Sequence, residues 1–480
     1  MKTAIKTWCR AFAVVAAALV LLTASTVLAE LKLPAMFTSN GVLQQGKPVP
    51  VWGWADADAE VAVTFAGQTK TANSDKDGKW IVKLDALKAN KEPATMTIKS
   101  GDAELKVENI LVGEVWFCSG QSNMEWTVNR SILPDTVNAD EFPMIRHIKV
   151  PHVRAAEPAA DFNGAWQVSD KATANGFTAV GFFFATQLQK ELDTPIGLIG
   201  CNWGGTRIEP WTPPEGFEIV KDKIDINALG DKSSMYHGMV CAVKPYAIAG
   251  SIWYQGESNG GEGESYLWKT KAMVEGWRKV WGQGDFPYYL VQLANFRAPN
   301  PEPAGGDGWA KIREAQTAVL SEVKNTGMAV IIDVGEANDI HPRNKYDVGS
   351  RLALWALAKD YGKSDVVYSG PLYKEAKVEG DKIRISFDHV GSGLMAAKKS
   401  SPQSIDAPQP AEKLAGFAIA GDDQKWAWAD AVIDGDTVVV SAPEVKNPVA
   451  VRYGFSMNPD KVNLYNKEGL PAGPFRTDKW

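Results

Sequence analysis

The sequence predicts an α/β domain built on a parallel sheet, with β-rich domains on either side of it. Three observations carry this expectation. Strand-like runs with a period of two fill residues 31–108 and return after Gly362, whereas apolar strand-like runs alternate with helical ones in between. The chain has 480 residues, enough for about three domains. Its 45% hydrophobic and 22% charged residues are an ordinary globular balance, which excludes a disordered chain, a collagen-like chain and a small disulfide scaffold. The 18 Trp are many for this length; burial is their commoner use, although exposed indole faces also stack on sugar rings.

Residues 1–29 read as a secretory signal peptide. Lys2, Lys6 and Arg10 form a basic start, and Ala11 to Leu22 is apolar but too short to span a bilayer comfortably. Val27-Leu28-Ala29 offers small residues for cleavage. A periplasmic or secreted protein with no membrane span after cleavage is therefore expected. Cleavage removes three positive and no negative charges, taking the formal net charge from −6 to −9, which opposes a nucleic-acid partner. Cys118, Cys201 and Cys241 remain, compatible with one disulfide and a free thiol or with three buried thiols. No Cys/His spacing suggests zinc, and neither a metal nor another cofactor is expected.

Residues 30–108 are expected to form a β-sandwich. Val51-Trp52-Gly53-Trp54, then Val61, Val63 and Phe65, alternate with polar residues, and Trp80, Val82 and Leu84 repeat the pattern after the turn Asp75-Lys76-Asp77-Gly78. Residues 109–362 form the expected α/β domain. Its candidate strands are Ile110–Cys118, Ile196–Gly200, Ala249–Tyr254, Tyr288–Leu293 and Met328–Asp333. Its candidate helices are Ala179–Leu192, Glu264–Trp281, Ala310–Val323 and Lys345–Tyr361, an order that favours a parallel sheet with helices on both faces. Residues 130–165 and 208–236 read as irregular insertions. Residues 363–480 are expected to be β-rich, with Lys382–Phe387, Gly416–Ile419 and Thr437–Ser441 as the clearest strands and Lys399–Pro410 as an exposed connector.

Four polar segments follow candidate strands, where open α/β sheets place their sites. In Gly113–Glu125 a strand runs into Gly120-Gln121-Ser122-Asn123; Ser122 is either a nucleophile beside helix N-terminal amides or a helix N-cap. Asp333–Pro342 contains His341, a candidate base, and Asp339, a candidate orienting acid; an ordinary helix-capping loop is the plain alternative. Asn202–Arg207 contains Gly204 and Gly205, which let backbone amides approach a ligand or simply make a tight turn. In Trp253–Asn259, Gln255 or Asn259 offers a side-chain amide to developing charge. Together these supply a nucleophile, a base, an acid and amide donors, the parts required for acyl transfer. No Gly-x-Ser-x-Gly elbow, phosphate loop or dinucleotide fingerprint is present.

These segments resemble the sialate O-acetylesterase family of the SGNH (GDSL-like) hydrolase superfamily. The resemblance covers nearly the whole chain after residue 29. It runs from Met36–Gln45 and Val51–Trp54 through Gly120–Met124, Ile252–Asn259 and Asp339–Pro342 to Asn463–Asn466, Gly469–Pro471 and Pro474–Asp478. It implies a flavodoxin-like SGNH hydrolase domain, Ser122 as nucleophile, His341 as base, and removal of O-acetyl groups from sugars without metal. It further implies oxyanion donors from the Ser122 amide, Gly204 or Gly205, and Gln255 or Asn259. The wider superfamily places its acid three residues before the His; here that position is Asn338, while Asp339 lies two before. Arg207 suits either the carboxylate of an acidic sugar or a structural salt bridge. An esterase for xylan- or pectin-type acetyl groups would use the same residues. A carbohydrate-binding protein that has lost catalysis is the reading from another class, and the retention of both Ser122 and His341 argues against it.

Overall fold

The computed structural model describes residues 31–133 and 137–480; the expected signal peptide lies outside them. Among the described residues, seven strands precede the first α-helix: β1 Val42–Gln44, β2 Val49–Trp54, β3 Glu60–Phe65, β4 Gln68–Asn73, β5 Lys79–Leu84, β6 Asn90–Ser100 and β7 Ala103–Gly120. β3 pairs antiparallel with β4 and β6, β6 with β7, and β2 with β5, giving two small layers whose alternating residues Val61, Val63, Phe65, Val82 and Leu84 are buried.

β7 is the hinge of the architecture. Its first half belongs to the amino-terminal sheet, while its second half, buried on both faces from Ile110 to Gly120, is a central strand of the parallel sheet. The expected boundary at 108/109 thus falls inside one continuous strand. The amino-terminal β-layers and the α/β region share one hydrophobic core.

The α/β region continues with α1 Ser122–Glu125, β8 Ile145–Lys149, β9 Gln167–Val168, α2 Ala179–Leu192, β10 Ile196–Asn202, α3 Pro214–Ile219, β11 Gly250–Tyr254, α4 Glu264–Trp281, β12 Tyr288–Val291, α5 Ala310–Glu322, β13 Thr326–Ala329 and α6 Lys345–Lys359. The strand order is β13-β12-β11-β7-β10-β8-β9, all parallel except β9 at one edge. From β7 the chain builds outward in both directions. The switch point, where such sheets open a crevice, therefore lies at the carboxyl end of β7.

Several details differ from the expectation. β8 and α3 fall inside the stretches read as irregular. β8 reads Ile-Arg-His-Ile-Lys, and a strand carrying three basic residues gives no apolar signal, yet Arg146 and His147 are buried. Of the two cysteine alternatives the structure takes the second: Cys118, Cys201 and Cys241 are all free and buried. The connector at 399–410 is not free of the core: Lys399 is buried and its Nζ lies 2.7 Å from Asp347 Oδ2, while Gln403 Nε2 donates to Glu336 Oε2 at 2.7 Å.

The carboxyl-terminal strands surround a second core of Ile383, Ile385, Phe387, Phe417, Ile419, Val438, Val440, Val451 and Tyr453. Arg313 of α5, fully buried, joins the two units by donating to Leu293, Ala294, Ser456 and Met457 carbonyls at 2.6–3.0 Å. Among the described residues no helix is long and apolar enough to cross a membrane.

Candidate active site

The site begins where β7 ends. Gly120 has φ +140°, and a Cβ there would lie 2.2 Å from the Tyr254 carbonyl oxygen, so only glycine lets the strand leave between its neighbours. The exit is clamped on both sides: Gln121 N–H donates to Tyr254 C=O at the end of β11, and Trp203 N–H donates to Gly120 C=O just past β10, both at 3.0 Å. Ser122 then opens α1, where the first-turn amides have no intrahelical acceptor.

Ser122 Oγ lies 2.9 Å from His341 Nε2, although the two residues are 219 positions apart. The other ring nitrogen, Nδ1, faces Asp339 Oδ1 at 3.6 Å, beyond hydrogen-bond length, and the same oxygen accepts the His341 backbone N–H at 2.9 Å. The imidazole stacks on Trp126 with ring centres 4.8 Å apart and planes 16° apart. Arg130 lies over the Trp126 ring at 3.6 Å. Burial, followed by the nearby Lys345 charge, lowers the His341 pKa below its usual value; Asp339 pulls it partly back and Arg130 adds to the lowering. A neutral imidazole facing a serine hydroxyl at this distance is equipped to accept its proton.

Gly204 is packed against Ser122: a Cβ there would be 3.2 Å from Ser122 Cβ. Its N–H is engaged by Glu125 Oε2 at 2.8 Å. Glu125 is in turn held by His152 Nε2 at 2.7 Å and Lys149 Nζ at 3.3 Å. Burial raises its pKa, but Lys149, the Gly204 N–H and His152 outweigh that and leave a net lowering. Gly205 has φ +72° and open space where a side chain would project. It lines a cavity of about 420 Å³ with Thr206, Arg207, Arg154, Asp231 and Lys269.

Three of the expected substrate contacts are committed elsewhere. Gln255 is fully buried; its Nε2 donates to Thr206 C=O and Asn259 Oδ1, and its Oε1 accepts from Tyr266 Oη at 2.8 Å. Asn259 accepts from Ile208 N–H at 3.1 Å and donates to Glu262 Oε1 at 3.0 Å. Arg207 is ion-paired to Glu209 at 2.9 Å and to Glu262, and donates to Ser258 C=O. Lys269, itself buried, lies 2.7 Å from both carboxylates. The sequence reading treated polar residues after a strand as facing the crevice. Gln255 and Asn259 instead face inward, Gln255 to Thr206 and Tyr266 and Asn259 to the Glu209 and Glu262 carboxylates, while Arg207 stays half exposed at the cavity wall and pairs with the same two carboxylates. The amide expected from Gln255 or Asn259 is therefore not aimed at Ser122, and Arg207 takes the salt-bridge role.

Other residues at the site escaped the sequence reading. Asn123, Glu125 and Glu257 stand inside the quoted motifs, and their side chains bridge those motifs. Trp126 and Lys345 lie just outside the motifs, and nothing in the sequence marks them as facing His341.

Three comparisons bear on this arrangement. The family model for carbohydrate esterases described as sialic acid-specific acetylesterases matches residues 112–357. Human sialate O-acetylesterase is 27% identical over 498 residues, covering 92% of this chain and 91% of that protein. The crystal structure of a carbohydrate acetylesterase from Xanthomonas citri superposes with a TM-score of 0.84 at 39% identity, covering 94% of this chain and all of that one. The matched segment contains Ser122, Gly204 and His341, so family and geometry meet on the same crevice. The chain belongs to the sialic acid-specific acetylesterase family of carbohydrate esterases and is a carboxylic ester hydrolase.

Proposed function

We propose that the chain is an exported serine esterase that removes O-acetyl groups from sugars, sialic acids first among them, through an acetyl-enzyme on Ser122. The observation that carries the reading is the 2.9 Å approach of Ser122 Oγ to His341 Nε2 at the carboxyl edge of the sheet. His341 takes the hydroxyl proton as Oγ attacks the acetyl carbonyl. The tetrahedral oxyanion is held by the Ser122 amide at the open end of α1 and by the Gly204–Gly205 backbone, where the substrate oxygen replaces Glu125 on the Gly204 N–H. The intermediate collapses as the sugar oxygen leaves with the proton from His341. Water, deprotonated by the same imidazole, then attacks the acetyl-enzyme and releases acetate. Asp339 steadies the imidazolium formed in each half-reaction. Losing one oxyanion donor costs about 3 kcal/mol of barrier.

The similarity to a carbohydrate acetylesterase at 39% identity supports a substrate range beyond sialic acid, including acetylated plant or microbial glycans. Acetate release by wild-type and Ser122→Ala enzyme, from an aryl acetate, an O-acetylated sialic acid and an acetylated xylan, tests both readings. Loss of activity on every acetate in the variant is the expected result; full activity in the variant removes Ser122 from the mechanism. The relative rates across the panel assign the sugar. Export is tested by fractionating cells that express the full chain.

A further inference from the structure

We infer that Asn123 is a positioning residue that holds the His341 loop against the Ser122 turn, and that Lys345 and Glu257 dictate which way its amide faces. This rests on the Ser122–His341 mechanism above. Asn123 follows Ser122 in α1 and is 1% exposed. Its Nδ2 donates to the Ile340 carbonyl at 3.0 Å and to Glu257 Oε1 at 2.5 Å, while its Oδ1 accepts from Lys345 Nζ. One short side chain, covalently next to the nucleophile, thus bonds the residue covalently next to the base. The same side chain reaches the turn after β11 and the first residue of α6.

The loop needs such a tie. Residues 330–344, between β13 and α6, contain no helix or strand yet deliver both His341 and Asp339. Among the described residues, its other backbone bonds to the rest of the chain, from Arg297 N–H to Ala337 C=O, from Ile132 N–H to Arg343 C=O and from the Arg351 guanidinium to Val330 C=O, lead to segments other than the nucleophile turn. Stacking on Trp126 sets the plane of the imidazole, not the height of the loop above Ser122. The Asn123–Ile340 bond sets that height directly.

The surroundings explain why the amide stays put. A carboxamide can turn over and exchange its oxygen and nitrogen at small intrinsic cost. Here the turned form would set an oxygen against the Ile340 carbonyl, which only accepts, and two N–H donors against Lys345 Nζ, which only donates in its ammonium form; burial lowers the Lys345 pKa to about 7, with Glu257 pulling it partly back. It would also oppose the Glu257 carboxylate. Lys345 and Glu257 thus lie on opposite sides of the amide as matched ends of one dipole. Glu257 Oε2 has no hydrogen-bond partner among the described residues, so Asn123 is the principal consumer of this buried carboxylate.

The test uses aryl-acetate kinetics at pH about 6.5, above the lowered His341 range and below the value of about 7 to which burial brings Lys345, with active sites counted by incorporation of a serine-directed fluorophosphonate. Asn123→Asp keeps the shape and the Lys345 contact but removes the donor. Asn123→Ala removes both. Each is expected to lower kcat per labelled site by on the order of 10²-fold with KM within about threefold, because misplacement, not binding, is what is lost. A residue serving only stability would reduce the labelled fraction and leave kcat per labelled site unchanged, and that result would overturn the inference. Lys345→Met covers the case in which both Asn123 variants fail to fold. It frees the amide to turn and is expected to lower kcat per labelled site several-fold with KM retained; an unchanged kcat there refutes the orienting role. Wild-type enzyme that takes up no probe at Ser122 overturns the nucleophile assignment and this inference with it, an outcome distinct from labelled wild type with indifferent variants.

Discussion

Replacing Gly120 by Ala tests whether the exit of β7 sets the nucleophile. The φ of +140° is one that L side chains rarely adopt, and the added Cβ would sit 2.2 Å from the Tyr254 carbonyl oxygen, a distance no methyl group tolerates. The obstructing atom is backbone, in a sheet interior, so relief requires β7 and β11 to part. That sacrifices the Gln121–Tyr254 hydrogen bond, worth about 1 kcal/mol net. Backbone strain at such a φ adds about 1–3 kcal/mol. The expected loss is therefore about 2–4 kcal/mol, a large share of the stability of a typical domain. The assay is urea unfolding followed by tryptophan fluorescence, paired with the rate of fluorophosphonate incorporation at Ser122. Gly205→Ala is the control: it is also at positive φ, +72°, but faces open space, so only about 1–2 kcal/mol of left-handed strain is expected. A Gly120→Ala enzyme within about 1 kcal/mol of wild type that labels at the wild-type rate would refute the reasoning.

Three further outcomes are expected. Burial and Lys345 hold the His341 pKa below its ordinary value, and the base must be neutral to act, so the acidic limb of kcat/KM should fall at a pH below about 6.5. Asp339→Asn removes a group that raises that pKa and should move the limb to still lower pH while reducing kcat; a pH–rate profile whose limb rises or stays fixed in the variant contradicts the assigned contact. Trp126→Ala deletes the stacked platform behind the imidazole and should lower kcat about tenfold, an aromatic pair being worth about 0.5–1.5 kcal/mol; unchanged steady-state kinetics would exclude it. Lys269→Met leaves the Glu209 and Glu262 carboxylates with Arg207 and the neutral donors Asn259 and Ser265, and should destabilise by about 3–5 kcal/mol in urea titrations at neutral pH. Salt-bridge and hydrogen-bond partners outweigh burial to hold both carboxyls below their ordinary pKa. Their stabilisation is therefore present above the unfolded-state value of about 4.3 and is lost as the pH falls through the folded values, so the gap between variant and wild type should narrow in acid.

What the sequence made legible was what hydrophobic spacing encodes. The helices at 179–192 and 264–281 stand at their expected bounds, because each carries a long apolar face and a clear stop such as Gly282 at φ +67°. β8 was hidden because its side chains are basic, and the sheet buries Arg146 and His147 all the same. The pairing of Ser122 with His341 was legible because both follow strands, and parallel strands bring their carboxyl ends to one rim. The fates of Gln255, Asn259 and Arg207 were not. Where a polar side chain after a strand ends up depends on partners distant in the chain, such as Thr206, whose carbonyl takes the Gln255 amide, Glu209, which accepts from Asn259, and Glu262, which pairs with Arg207. Glu125 was hidden for the opposite reason: an acid in the first turn of a helix is so ordinary that its grip on Gly204 leaves no trace in the sequence.

The single unbroken strand from Ala103 to Gly120 makes the front of this molecule indivisible. Its outer end is woven into the amino-terminal layers and its inner end presents the reacting serine, so no cut between them spares both. A truncation beginning after β6 would strip the strand of its antiparallel partner and expose the apolar surface that the two regions share. The carboxyl-terminal unit has its own interior but is tied in as well, through Arg313 to the Ser456 and Met457 carbonyls and through Lys399 to Asp347. The smallest working form of this esterase is thus set by where one strand is anchored, not by where its reactive side chains lie.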